Sequence, residues 1–218
     1  GIIEHKDALK AREEGTEHKD AVEIREINPG IYAFDAAVLR ESLAKVTTDN
    51  AQGEKYLTDV LQLARAAGGR VTAHVLTDLW QTEGVNDRVQ LAELGRELNR
   101  RMVEKAMRGG ATIIDPETTW IGVNVTIGTD VTIHPGTQLW GATSIADNAE
   151  VGPDSTLTNM QIGTGASVVR THGSDSVIGV NAKIGPFTYS RPNTIVGEDG
   201  KLGGFVEAKN AELGRGTK

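Results

Sequence analysis

From Ile121 onward an aliphatic residue returns every six positions: Ile121, Ile127, Ile133, Leu139, Ile145, Val151 and Leu157. The phase slips by one at Ile162 and resumes through Ile178, Ile184, Val196, Leu202 and, after a second adjustment, Leu213. Glycine often comes next, as at Gly122, Gly128, Gly163, Gly179 and Gly197, and a small or β-branched residue sits four positions on, as at Val131, Thr137, Thr143 and Ala149. A step of six matches neither the 3.6-residue period of a helix nor the alternation, with turns every 8 to 12 residues, of a sandwich. It is the hexapeptide pattern of a parallel β-helix. Each hexad supplies a short strand and a corner, and three hexads close a triangular coil with the aliphatic residue inside. Glycine at the corner permits the tight turn. Coils then stack at about 4.8 Å. Residues 121–218 give roughly five coils, and hexapeptide prisms wind left-handed, against the usual crossover rule.

The preceding part has another character. Of the 26 glycines, 10 fall in residues 1–120 and 16 in the remainder. Ile31 to Phe34 reads as a short buried strand, and Asp35 caps a helix carrying Val38, Leu39 and Leu43. A second helix covers about Tyr56 to Ala67 and stops at Gly68-Gly69. Val71 to Leu76 alternates weakly, as a strand would. A long helix then runs over roughly Asp87 to Arg108, its apolar positions stepping by three and four, and ends at Gly109-Gly110. Its residues alone fit an arm between two domains and an ordinary surface helix equally.

Aromatics are only 4%, so the cores must come from Ile, Leu, Val and Ala. A net charge of −7 argues against nucleic acid as a partner. With no cysteine there is no disulfide, thiolate nucleophile or Cys-ligated zinc. No apolar run approaches a membrane span and no leader pattern is seen, so a cytoplasmic location is expected. Beginning at Gly1 rather than Met, the chain reads as a piece of something longer.

A hexapeptide prism is a fold and not a function. The other motifs narrow it: Glu-His-Lys-Asp-Ala at 4–8, Glu26-Ile27-Asn28-Pro29-Gly30-Ile31-Tyr32, Asn50-Ala51-Gln52-Gly53-Glu54, Gly84-Val85-Asn86-Asp87-Arg88, and Ile184-Gly185-Pro186-Phe187 through Arg191-Pro192. Together and in this order they resemble the bifunctional GlmU family. That family joins N-acetylglucosamine-1-phosphate uridylyltransferase to glucosamine-1-phosphate N-acetyltransferase. The resemblance implies an α/β fold, the C-terminal part of a Rossmann-like nucleotidyltransferase domain, over residues 1–86. A linker helix follows over 87–110, then the first part of a left-handed parallel β-helix over 111–218. It further implies UTP, N-acetylglucosamine 1-phosphate, glucosamine 1-phosphate and acetyl-CoA as substrates, Mg2+ as cofactor, a homotrimer, and no membrane or nucleic-acid partner.

Carried over by motif, Glu4 and Asn28 would contact the N-acetylglucosamine moiety, whose hydroxyl and acetamido groups need paired donors and acceptors. Asn86 would be an oxygen ligand to magnesium beside the phosphates. Arg191 and Lys209 would hold the sugar phosphate, one as a planar fork and one as a mobile point charge. Read without the resemblance, Asn28 is turn chemistry, Asn86 an N-cap of the long helix, and Arg191 and Lys209 solvated charges. His134 and His172 lack the spacing expected of a carbonic anhydrase metal site.

The chain departs from the family pattern in three ways. The Glu-His-Lys-Asp-Ala box occurs twice, at 4–8 and 17–21, so Glu17 competes with Glu4; the preceding Ile2-Ile3 favours Glu4. Pro29 stands where the family has a small residue. The family's phosphate-cradling loop would lie before Gly1 and its catalytic histidine after Lys218, so neither catalytic centre is whole and the chain alone is expected to be inactive. The alternatives are a sugar-nucleotide pyrophosphorylase with a structural β-helix tail, and a non-catalytic trimeric scaffold.

Overall fold

The computed structural model describes residues 2, 5–16, 19–48 and 53–218. It divides into two compact units, 1–86 and 87–218.

In the first unit the described helices are α1 (His5–Glu14), α2 (Ala36–Leu43) and α3 (Asp59–Ala66), with 3-10 turns at Lys19–Glu23 and Leu79–Gln81. Asp35 caps α2 as expected, its carboxylate accepting from the N–H groups of Ala37 and Val38. After α3, the Gly69 N–H reaches back to the Ala64 carbonyl, closing the last turn at the glycine pair. The strands expected at Ile31–Phe34 and Val71–Leu76 do not form: both segments are irregular, and Ile31 is 68% exposed. A strand exists only by pairing, and no strand of this unit is found among the described residues to pair with. Among the described residues of this unit no sheet is found, so the Rossmann-like part is not seen in them.

The second unit opens with α4 (Arg88–Arg108). Its N-cap is Asp87, whose carboxylate accepts from the Gln90 N–H at 2.8 Å. The capping reading of Asn86 is thus corrected by one residue. After α4 come 18 short strands in three parallel sheets of six, a left-handed prism of six coils. The sixth coil arises because the first one starts earlier than the hexad count. β1 (Thr112–Ile113) precedes β2 (Trp120–Ile121) and β3 (Thr126–Ile127), and the segment Asp115–Thr118 stretches the intervening corner and hides the period.

Two residues per hexad face inward. On the first face the aliphatic column is Ile113, Ile133, Val151, Val168, Ile184 and Leu202; on the third it is Ile127, Ile145, Ile162, Ile178, Val196 and Leu213. The second face starts as Ile121, Leu139 and Leu157, then continues as Gly173, Ser190 and Ala208. The space Gly173 leaves is filled by Met160: a Cβ there would lie 3.0 Å from Met160 Cε and 3.3 Å from Leu157 Cδ2. The other inward position, two residues earlier, often carries a hydroxyl. Thr137, Thr143 and Thr194 are buried, and each donates to a corner carbonyl three residues back, at 2.7–2.8 Å.

The corners differ. Asn and Asp take the left-handed conformation after both the second and the third face, as at Asn159 and Asn193 and at Asn148 and Asn181, but at the corner following the second face they also pair across coils, Asn159 Nδ2 with Asp175 Oδ1 and Asn193 Nδ2 with Asn210 Oδ1, both 3.0 Å. At the corner following the third face, Gly163, Gly179 and Gly197 are stacked. A Cβ on Gly163 or Gly179 would meet backbone of the next coil at 2.7 Å, and on Gly197 at 2.9 Å. The second coil has Ala146 at the corresponding place.

α4 closes the open edge of the first coil. Asn99, 8% exposed, donates from Nδ2 to the Thr119 carbonyl at 2.8 Å and accepts at Oδ1 from the Ile121 N–H at 2.9 Å. These are the groups β2 would offer to a preceding coil, and the carboxamide stands in for a peptide. Val103 packs into the same core.

Candidate functional site

Arg191 and Lys209 each follow an inward residue of the second face, Ser190 and Ala208, which pair in register on successive coils. The Arg191 N–H donates to the Ala208 carbonyl at 2.8 Å. Two cations 18 positions apart in sequence therefore leave the prism at one corner, one coil apart. They are held differently. The Arg191 guanidinium donates through Nη1 to Glu207 Oε1, and its Cζ lies 5.8 Å from the centre of the Tyr189 ring. Lys209 is exposed and makes no ion pair among the described residues. Two cations on one edge can grip a dianionic phosphate, and the guanidinium adds directional hydrogen bonds.

The neighbouring outer surface of the second face forms an open groove of about 410 Å³, lined among others by Arg170, His172, Phe187, Tyr189 and Glu207. His172 meets Tyr189 edge-on, with ring centres 5.3 Å apart. At the opposite edge Arg170 lies 5.8 Å over Phe187 and 3.5 Å from Asp154, and Phe187 stacks on Phe205 at 5.3 Å. None of Tyr189, Glu207 and Arg170 was singled out by motif. The usable signal was coil arithmetic: Tyr189 and Glu207 are one whole coil apart, as are Arg191 and Lys209.

The other sequence candidates lie in the first unit. Glu4 and Glu17 fall outside the described residues. Asn28 is exposed and its carboxamide is engaged locally: Oδ1 accepts from the Gly30 N–H at 3.1 Å, and Nδ2 donates to the Tyr32 hydroxyl. Asn86 is the last residue of its unit. A hard divalent cation takes about six oxygen ligands. No cluster of three or more His, Asp or Glu gathers among the described residues, and Asp87 spends its carboxylate on α4. Among the described residues, then, no ligand cluster gathers beside Asn86. His134 pairs with Glu150 at 2.7 Å and His172 with Tyr189, so the two histidines do not converge. No helix among the described residues is long and apolar enough to cross a membrane.

No family model matches the chain. Among curated proteins it is 71% identical over 206 residues to the bifunctional protein GlmU of Corynebacterium aurimucosum, covering 93% of this chain and 42% of that protein. It is 61% identical over 217 residues to the bifunctional protein GlmU of Corynebacterium jeikeium, covering 100% of this chain and 43% of that protein. The chain thus spans about two fifths of the length of the curated relatives it matches. Among solved structures, PerB from Caulobacter crescentus, in complex with CoA and GDP-perosamine, aligns with a TM-score of 0.46 at 18% identity, over 71% of this chain and 84% of that one. That score is too low to add to a fold that stands on its own strand pairing.

Proposed function

The chain belongs to the bifunctional GlmU family, and from that premise we propose that its prism holds glucosamine 1-phosphate for N-acetylation by acetyl-CoA. The observation that carries this reading is the stacking of Arg191 and Lys209 at one corner. In the reaction the sugar amine attacks the thioester carbonyl, the new amide bond replaces the carbon–sulfur bond, and coenzyme A leaves as its thiol. The attacking nitrogen gives up a proton to a general base, and the leaving thiolate takes one up. The role of Arg191 and Lys209 is to fix the phosphate, so that the amine at the far side of the sugar is presented at a defined height along the prism.

The proposal extends to the rest of the family's activity. Residues 1–86 contribute the C-terminal part of a Rossmann-like uridylyltransferase domain, with Glu4 or Glu17 and Asn28 toward the N-acetylglucosamine of the 1-phosphate substrate. Asn86 would offer one oxygen to magnesium, which when bound would offset the charge of the nucleotide phosphates. UTP is the second substrate of that half, the assembly is a homotrimer, and the location is cytoplasmic.

Calorimetric titration of the 218-residue chain with glucosamine 1-phosphate, with glucosamine as the control, tests the reading. Loss of either charged contact by Arg191→Ala or Lys209→Ala is expected to weaken binding about 10- to 100-fold. Equal affinity for glucosamine, or parental affinity in both variants, refutes it.

A further inference from the structure

Resting on that reading, we propose that Tyr189 is a positioning residue for the sugar-phosphate site: with Glu207 it holds the Arg191 guanidinium in a set plane before phosphate arrives. Tyr189 and Glu207 occupy the same outward position on successive coils of the second face. Arg191, two residues after Tyr189, turns back over this face. Its Cζ stands 5.8 Å from the ring centre while Nη1 is held by Glu207. The ring is itself braced, because His172, one coil earlier, lies against it edge-on at 5.3 Å and 65°. The Arg191 side chain is only 36% exposed as a result, whereas Lys209 on the same corner is exposed and without an ion pair among the described residues.

The contacts leave a specific edge open. Glu207 engages Nη1, and neither Nε nor Nη2 has a partner among the described residues. The Nε–Nη2 edge presents two parallel N–H groups, the arrangement that takes two phosphate oxygens at once. An arginine left to itself samples many rotamers and must be ordered when it binds. One already pinned on a ring face by a carboxylate has met that requirement in advance. Arg191 is therefore the pre-set half of the grip and Lys209 the adaptable half.

The test is the same titration with glucosamine 1-phosphate, run on the 218-residue chain and its variants. Tyr189→Ala is expected to weaken binding about fivefold, from loss of the cation–ring contact and of the ordering it gives. Tyr189→Phe, which keeps the ring, is expected to bind as the parent does. In an Arg191→Ala background, Tyr189→Ala is expected to add nothing, because its effect passes through the guanidinium. Phe187→Ala, which removes the equivalent ring beneath Arg170 at the other edge, is expected to be silent. Additive effects in the double variant, or an equal loss from Phe187→Ala, would mean a general disturbance of the face and overturn the proposal while leaving the binding reading intact. Tenfold tighter binding by Glu207→Gln would make Glu207 a competitor of phosphate and also overturn it. No binding by the parent, or no effect of Arg191→Ala, would sink both.

Discussion

Replacing Asn99 by alanine should do more damage than its place on a mostly exposed helix suggests. The side chain is 8% exposed and satisfies two backbone groups that no strand covers, the Thr119 carbonyl at 2.8 Å and the Ile121 N–H at 2.9 Å. Thr119 is fully buried and Ile121 is 6% exposed, so water does not readily replace the lost partner. Each orphaned group costs about 1–3 kcal/mol. Both lie at one site and share any relaxation, which puts Asn99→Ala at about 2–4 kcal/mol. At about 2–4 °C per kcal/mol for a chain of this size, the midpoint should fall by about 4–16 °C. Asn99→Asp should be no better, because a carboxylate can accept from Ile121 but turns an oxygen toward the Thr119 carbonyl. Trp120 and Trp140 border the same cleft, so their fluorescence in a Trp80→Phe background reports on this end of the prism. A guanidinium titration giving Asn99→Ala within about 0.5 kcal/mol of the parent would show that the carboxamide is not standing in for a peptide.

Two further outcomes follow from α4. Asp87→Ala removes the cap and should cost about 1 kcal/mol in the same titration, and Asn86→Ala should cost less; the reverse order would restore the cap to Asn86. Glu97 is pulled down from 4.5 to about 2 by hydrogen bonds from Arg100 and Arg101, and Glu104 is lowered chiefly by Arg108. A carboxylate lowered in the folded state favours folding above its unfolded value and loses that contribution as pH falls through its folded one. Helical ellipticity should accordingly hold down to about pH 4.5 and decline toward about pH 2, and a decline complete by about pH 5.5 would contradict the assignment.

The prism was legible because its interior is periodic and its exceptions are few. On the second face the hexad signal vanishes at 173, 190 and 208, where the inward residue is Gly, Ser or Ala. Met160 supplies the missing bulk from a neighbouring position, and nothing in a one-dimensional pattern announces that. The first coil is hidden from the period because Asp115–Thr118 lengthens one corner. In the first unit the expected strands at 31–34 and 71–76 are irregular, since local alternation supplies a face but not a partner. The α1 helix, His5–Glu14, has few apolar positions and so shows no period in the sequence. Of the site, motif likeness named Arg191 and Lys209. Their adjacency, and the involvement of Tyr189 and Glu207, needed the coil length that pairs them.

The stacked glycines have a consequence for where this chain can change its length. From each inward residue of the third face to the next one on the first, the backbone takes six steps every time: 127 to 133, 145 to 151, 162 to 168, 178 to 184 and 196 to 202. The other corners are irregular, with five steps from 168 to 173 and from 208 to 213, and eight from 113 to 121. Where peptide lies directly on peptide, an added residue has nowhere to bulge without parting the coils. Where no such stack forms and the turn already varies in length, it can be looped outward. Insertions and deletions are thereby channelled to two edges of the triangle, and the third keeps the count. A peptide tag spliced between Pro116 and Glu117 enters an edge already lengthened, whereas one placed after Gly179 must break the stack.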